Sequence, residues 1–77
     1  MEINEFIANF ADQFDETEPN EIVAETKFHD LDEWSSLIAL SVLNMVNKTY
    51  GYNMTFDEVK SCDTVEDVFN LVKARIA

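Results

Sequence analysis

The stretch from Ser36 to Tyr50 contains neither glycine nor proline, and Gly51 follows where a helix C-terminus commonly takes a glycine. This predicts a helix over residues 36–50. At about 100° per residue, Ile38, Ala39, Val42, Leu43, Met45, Val46 and Tyr50 sweep most of the circumference, whereas Ser41, Asn44 and Lys48 form one narrow polar stripe. A helix apolar over so much of its surface has to be surrounded by other elements. The rest of a 77-residue chain must therefore wrap around this one. A domain of that size hides only about 60–65% of the surface its unfolded form exposes, so the packing has to be efficient. Leu37 shares the angular sector of the polar stripe and is expected to be an exposed apolar residue.

The wrapping elements also read as helices. Ile3, Phe6, Ile7, Phe10 and Phe14 recur on one helical face and predict a helix over roughly residues 2–14. Pro19 lacks a backbone donor and Asn20 favours local side-chain bonds, so that helix ends before them. Residues 15–35 form a long connector. Ile22, Val23, Phe28, Leu31 and Trp34 are apolar enough to tack it onto the core, which predicts an ordered loop with a short turn of helix, anchored by Trp34. Thr55 and Glu58 fit a capping box opening a short helix that lasts to about Lys60. Thr64 opens a last helix with Val65, Val68, Phe69, Val72 and Ile76 on one face, and Lys73 and Arg75 near its C-terminal end suit the helix dipole. No strand alternation occurs. The expected fold is all-α, one domain over residues 1–77: a four-helix bundle with three longer helices and a short third.

Charge narrows the function. The formal net charge is -11, and all eight acidic or basic side chains in residues 1–26 are acidic. Such a field repels nucleic-acid phosphates and anionic membranes, so partners are expected to present basic patches. No apolar run approaches the ~20 residues of a membrane span. The lone Cys62 cannot form an internal disulfide and reads as a small, partly buried apolar residue. "MEINEF" carries acids where a secretory signal carries Lys or Arg, so a cytoplasmic location is expected and the Asn47 and Asn53 sequons are chance matches; the chain is also expected to be a monomer. A calcium loop starting at Asp30 and Asp32 fails, because Ser35 falls where glycine is needed and Ser41 where a bidentate Glu is needed. No metal site is expected. With His29 as the single histidine and no nucleophile elbow around the serines, the chain does not read as an enzyme.

The pair Ser35-Ser36 lies at the seam between the acidic connector and the central helix. Ser35 at the N-cap would accept from first-turn N–H groups, and Ser36 would occupy the first helical position. The same geometry favours an anion, because a phosphodiester on a hydroxyl there would sit near unpaired backbone donors and the positive end of the dipole.

Taken together, the four-helix outline, the long first connector, the acidity and Ser36-Leu37 at the start of the central helix resemble the acyl carrier proteins and the wider phosphopantetheine-carrier family. There the second helix opens at an Asp-Ser-Leu motif whose serine is modified. Phe28 stands eight residues before Ser36, as is common in the family, and "GYNMT" and "TVEDVFNLV" are similar to the approaches to its third and fourth helices. The resemblance implies 4'-phosphopantetheine, taken from coenzyme A by a phosphopantetheinyl transferase, attached to Ser36 and carrying acyl groups as thioesters. It implies a non-catalytic carrier serving acyl-loading or condensing enzymes of fatty-acid, polyketide or related biosynthesis. Leu37, Ser35, Ser41 and Asn44 would help those enzymes recognise the site. An aminoacyl or peptidyl carrier, or an unmodified interaction module of the same fold, are the alternatives. The motif departs from the family in three ways: Ser35 replaces Asp, Glu33 and Trp34 stand where a glycine is common, and no acid occurs between Ser36 and Tyr50. Basic partners are therefore expected at Asp30, Asp32 and Glu33 rather than along the helix.

Overall fold

In a computed structural model describing all 77 residues, four helices follow in order: α1 (Ile3–Ala11), α2 (Ser36–Tyr50), α3 (Phe56–Ser61) and α4 (Val65–Ile76). The all-helical bundle with a short third helix agrees with the sequence expectation. Two short 3₁₀ turns, Pro19–Glu21 and Phe28–Asp30, lie in the connector, where the sequence suggested one.

Helix α1 opens with the Glu2 carboxylate accepting from the N–H groups of Asn4 (3.1 Å) and Glu5 (3.0 Å). It ends at Ala11 rather than near residue 14. The N–H groups of Gln13 and Phe14 donate to the carbonyls of Phe10 and Ala11, both at 3.1 Å, so the chain tightens into i→i−3 turns. Phe14 thereby keeps its place in the core although it has left the helix. Helix α2 buries Ile38, Ala39, Val42, Leu43, Met45 and Val46. It stops where Gly51 turns left-handed at φ 74°, with the Gly51 N–H on the Asn47 carbonyl at 2.9 Å.

Both short-range caps expected later in the chain are formed. Thr55 and Glu58 cap α3 reciprocally, and Thr64 and Asp67 do the same for α4. Two more donors of the first turn of α4 go to the connector: Val65 N–H to the Thr26 carbonyl (3.1 Å) and Glu66 N–H to that of Ala24 (2.9 Å). A 24-residue stretch between α1 and α2 is thus tied down by backbone pairing, and not by apolar contacts alone.

Aromatic rings carry the core from α4 to the edge of α2. Phe69 meets Phe6 at 5.7 Å, Phe6 meets Phe10 at 6.3 Å, Phe10 meets Phe28 at 5.4 Å, and Phe28 meets Trp34 at 4.8 Å. No buried polar side chain interrupts them.

Candidate functional site

The row of rings ends one residue before the serine pair. Ser35 is extended (φ -156°, ψ 173°), and its Oγ accepts from Ile38 N–H at 3.3 Å, so it is the N-cap of α2. Ser36 is the first helical residue, is exposed, and makes no side-chain hydrogen bond within the protein. Its own N–H and that of Leu37 have no acceptor, whereas Ala39 N–H already donates to the Ser35 carbonyl at 2.9 Å. A free hydroxyl therefore stands beside two free backbone donors at the positive end of a 15-residue helix. The division of labour expected from sequence, with Ser35 capping and Ser36 open, is the one observed.

The connector holds this start of α2 from two sides. On one side Trp34 is half-buried against Phe28 and Phe14, and its ring lies 5.3 Å from that of His29. His29 Nε2–H donates to the carbonyls of Cys62 (3.0 Å) and Val59 (3.3 Å), fastening the connector to the end of α3. On the other side the Glu33 carboxylate accepts from Asp15 N–H (2.6 Å), Glu16 N–H (3.0 Å), Thr17 N–H (2.8 Å) and the Thr17 hydroxyl (2.9 Å). Burial pushes the Glu33 carboxyl up, but these four donors outweigh it and hold it below the usual carboxylate range. Glu33, in the neighbourhood where the family that the chain resembles commonly has a glycine, is thus a side chain that stitches the loop after α1 to the approach to Ser36.

The surroundings sort into an apolar face and an acidic groove. On α2, Leu37 is 73% exposed, and Leu40, which the sequence reading passed over, is 44% exposed in the same sector. Asn44 and Lys48 are exposed and Ser41 half-buried beside them. Phe56 at the start of α3 is 43% exposed. Asp30 and Asp32 are exposed and line a groove of ≈ 510 Å³ with Glu16, Glu21 and Glu33, next to α2 and not on it. Ser41, Asn44 and Lys48 line a separate polar groove of ≈ 390 Å³ with Asn9, Asp12 and Gln13 of the α1 side. Ser36 borders a third, more apolar cleft of ≈ 130 Å³ between α2 and α3.

Other chemistries find little support. No three His, Cys, Asp or Glu side chains converge on a point that could hold a metal. Cys62 is buried, and burial pushes its thiol up, away from the nucleophilic thiolate. No helix is long and apolar enough to cross a membrane.

Residues 4–72 match the family described as the phosphopantetheine attachment site. The chain belongs to that family and is a carrier protein of the acyl carrier kind. No curated protein and no solved structure matches it. The family carries covalently attached 4'-phosphopantetheine, and its domains interact with the transferase that installs the arm and with the biosynthetic enzymes they serve. The residues at the head of α2 fit such a group: Ser36 offers an exposed, unbonded oxygen, two free N–H groups suit a phosphodiester, and open space adjoins the hydroxyl.

Proposed function

We propose that residues 1–77 act as a single-domain acyl carrier with the arm on Ser36. The observation that carries this reading is the contrast within the serine pair: the Ser35 oxygen is occupied by the helix cap, and the Ser36 oxygen is free and exposed at the first position of α2. Attachment forms one Oγ–P bond at Ser36, breaks the pyrophosphate link of coenzyme A and releases adenosine 3',5'-bisphosphate. The hydroxyl proton passes to a base of the transferase. The arm ends in a thiol that holds cargo as a thioester, and tethering raises the local concentration of that cargo at each partner site. The protein's own share is to fix the start of α2 through Trp34, Glu33 and Ser35, and to present a surface that partners read.

That surface comprises Leu37, Ser41 and Asn44 beside the serines, with Asp30 and Asp32 supplying the charge for basic patches on acyl-loading or condensing enzymes. Glu33 contributes charge to the same groove while its oxygens hold the loop after α1. An aminoacyl or peptidyl carrier is the second reading. It draws on an α2 face without acids on which Leu37 and Leu40 are exposed, so that an apolar contact there is available to a partner.

The test is cargo loading. Protein carrying the arm is offered a fatty acid with an acyl-activating ligase, and separately amino acids with an adenylating enzyme. An acyl mass increment that hydroxylamine removes is expected from the first. An increment only from the second makes the chain an aminoacyl carrier, and none from either overturns the carrier role.

A further inference from the structure

We propose that Glu33 is a positioning residue for arm attachment: its carboxylate, gripped by the loop after α1, sets where the Ser36 oxygen stands and so acts on the turnover of the transferase rather than on docking. The inference rests on Ser36 being the attachment residue. It departs from the sequence expectation, which counted Glu33 with Asp30 and Asp32 as a charge for basic partners to meet.

The backbone donors after α1 explain the grip. The N–H groups of Gln13 and Phe14 return to helix carbonyls, but those of Asp15, Glu16 and Thr17 find no backbone acceptor. All three converge on Glu33. Successive N–H groups aimed at one spot make a concave site for an anion. Oε2 takes the Asp15 N–H, and Oε1 takes the Glu16 N–H, the Thr17 N–H and the Thr17 hydroxyl. Only a carboxylate offers two oxygens that both accept; a carboxamide would aim its NH₂ at one of the donors.

Charge gives the same answer. Glu33 shares its groove with Glu16, Glu21, Asp30 and Asp32, so a further negative charge there is repelled by its neighbours. The converging donors keep it ionised nonetheless. A partner cation reaching for Glu33 would have to share oxygens that already hold four donors, whereas Asp30 and Asp32 are exposed and make no ion pair within the protein. Docking charge is therefore the business of the two aspartates.

The grip is passed on to the serine. Ser36 is the third residue after Glu33, and no glycine or proline lies between Asn20 and Tyr50 to absorb a shift. Trp34 follows Glu33 and meets Phe14 at 6.3 Å, so two consecutive residues of the approach to α2 are fastened to residues 14–17. Ser35 then caps the helix, and Ser36 opens it.

The test follows intact mass against time for the full unmodified chain with coenzyme A and a broad-specificity transferase, over a range of carrier concentrations. Helicity and urea midpoints are read first. Glu33→Gln should lower kcat about 10- to 100-fold, as a small misplacement of a reacting atom does, with KM within about twofold of wild type. Amide exchange at Asp15, Glu16 and Thr17 should be slow in wild type and fast in the variant. Should Glu33→Gln not fold, Thr17→Val removes one of the four donors and keeps the backbone, and its kcat should fall roughly two- to tenfold. A KM that rises while kcat holds, as expected for Asp32→Asn, makes Glu33 one more docking charge and overturns the inference. Unchanged constants, or unprotected amides in wild type, overturn it as well, and each of these leaves the carrier function standing. A wild-type protein that never gains the mass overturns the carrier function and the inference with it.

Discussion

Replacing Ser35 and Ser36 in turn by alanine separates capping from attachment before any cofactor is involved. Ser35→Ala removes the oxygen that accepts from Ile38 N–H. Loss of an N-cap costs about 0.5–2 kcal/mol. The bond is 3.3 Å long, just beyond the usual range of about 2.7–3.2 Å, which places the cost in the lower half, about 0.5–1 kcal/mol. For a domain of this size each kcal/mol moves the midpoint by roughly 4–8 °C, so Ser35→Ala should lower Tm by about 2–8 °C. Ser36→Ala breaks no hydrogen bond and puts a strong helix former at the first helical position, so its stability should stay within about 0.5 kcal/mol of wild type. Urea titrations of the unmodified proteins at constant m-value, paired with thermal scans, measure both. A loss at Ser36 equal to or greater than that at Ser35 would refute the division of roles.

Three further perturbations probe the scaffold. Phe28 is fully buried, 5.4 Å from Phe10 and 4.8 Å from Trp34. Phe28→Ala should cost about 3–5 kcal/mol, a large share of the roughly 4–12 kcal/mol expected of a chain this long, and urea midpoints will read it. At Gly51 an added Cβ meets nothing within 4 Å, so Gly51→Ala should cost only the left-handed backbone penalty, about 1–2 kcal/mol, again by urea titration. The Tyr52 hydroxyl and the Thr55 N–H hold the Glu58 carboxyl below its usual 4.5, and the Thr64 and Asp63 N–H groups hold Asp67 below its usual 3.8. Because the folded values are the lower ones, the stability these groups contribute is complete above those usual values and is lost as pH falls through the folded ones. Stability plotted against pH should therefore fall less steeply below about pH 4.5 in Glu58→Gln than in wild type.

What the sequence revealed and what it hid follow from the range of the interactions involved. Helix α2 was legible to the residue because its cap, Ser35, and its stop, Gly51, are local devices. The same holds for the starts of α3 and α4, where the two capping boxes close within three residues. The end of α1 was misplaced because the apolar period runs on to Phe14, and a 3₁₀ turn delivers that ring to the core as well as a helix would. The order of the connector depends on partners far along the chain: Glu33 with residues 15–17, Thr26 and Ala24 with the start of α4, and His29 with the end of α3. No periodicity encodes those pairings. Among the proposed site residues, Ser36 and Leu37 were singled out through the resemblance of the helix start to the Asp-Ser-Leu motif, whereas the exposed Leu40 was hidden in a mostly apolar helix. The cleft at Phe56 and Lys60 was also hidden, because it exists only when α3 lies beside α2.

The attachment residue is best tested by intact mass. Wild type, Ser35→Ala and Ser36→Ala are incubated with coenzyme A and a broad-specificity phosphopantetheinyl transferase. Wild type and Ser35→Ala are predicted to gain one phosphopantetheine, and Ser36→Ala to remain at its starting mass. A gain that survives Ser36→Ala, or a wild type that gains nothing from several transferases, would contradict the account.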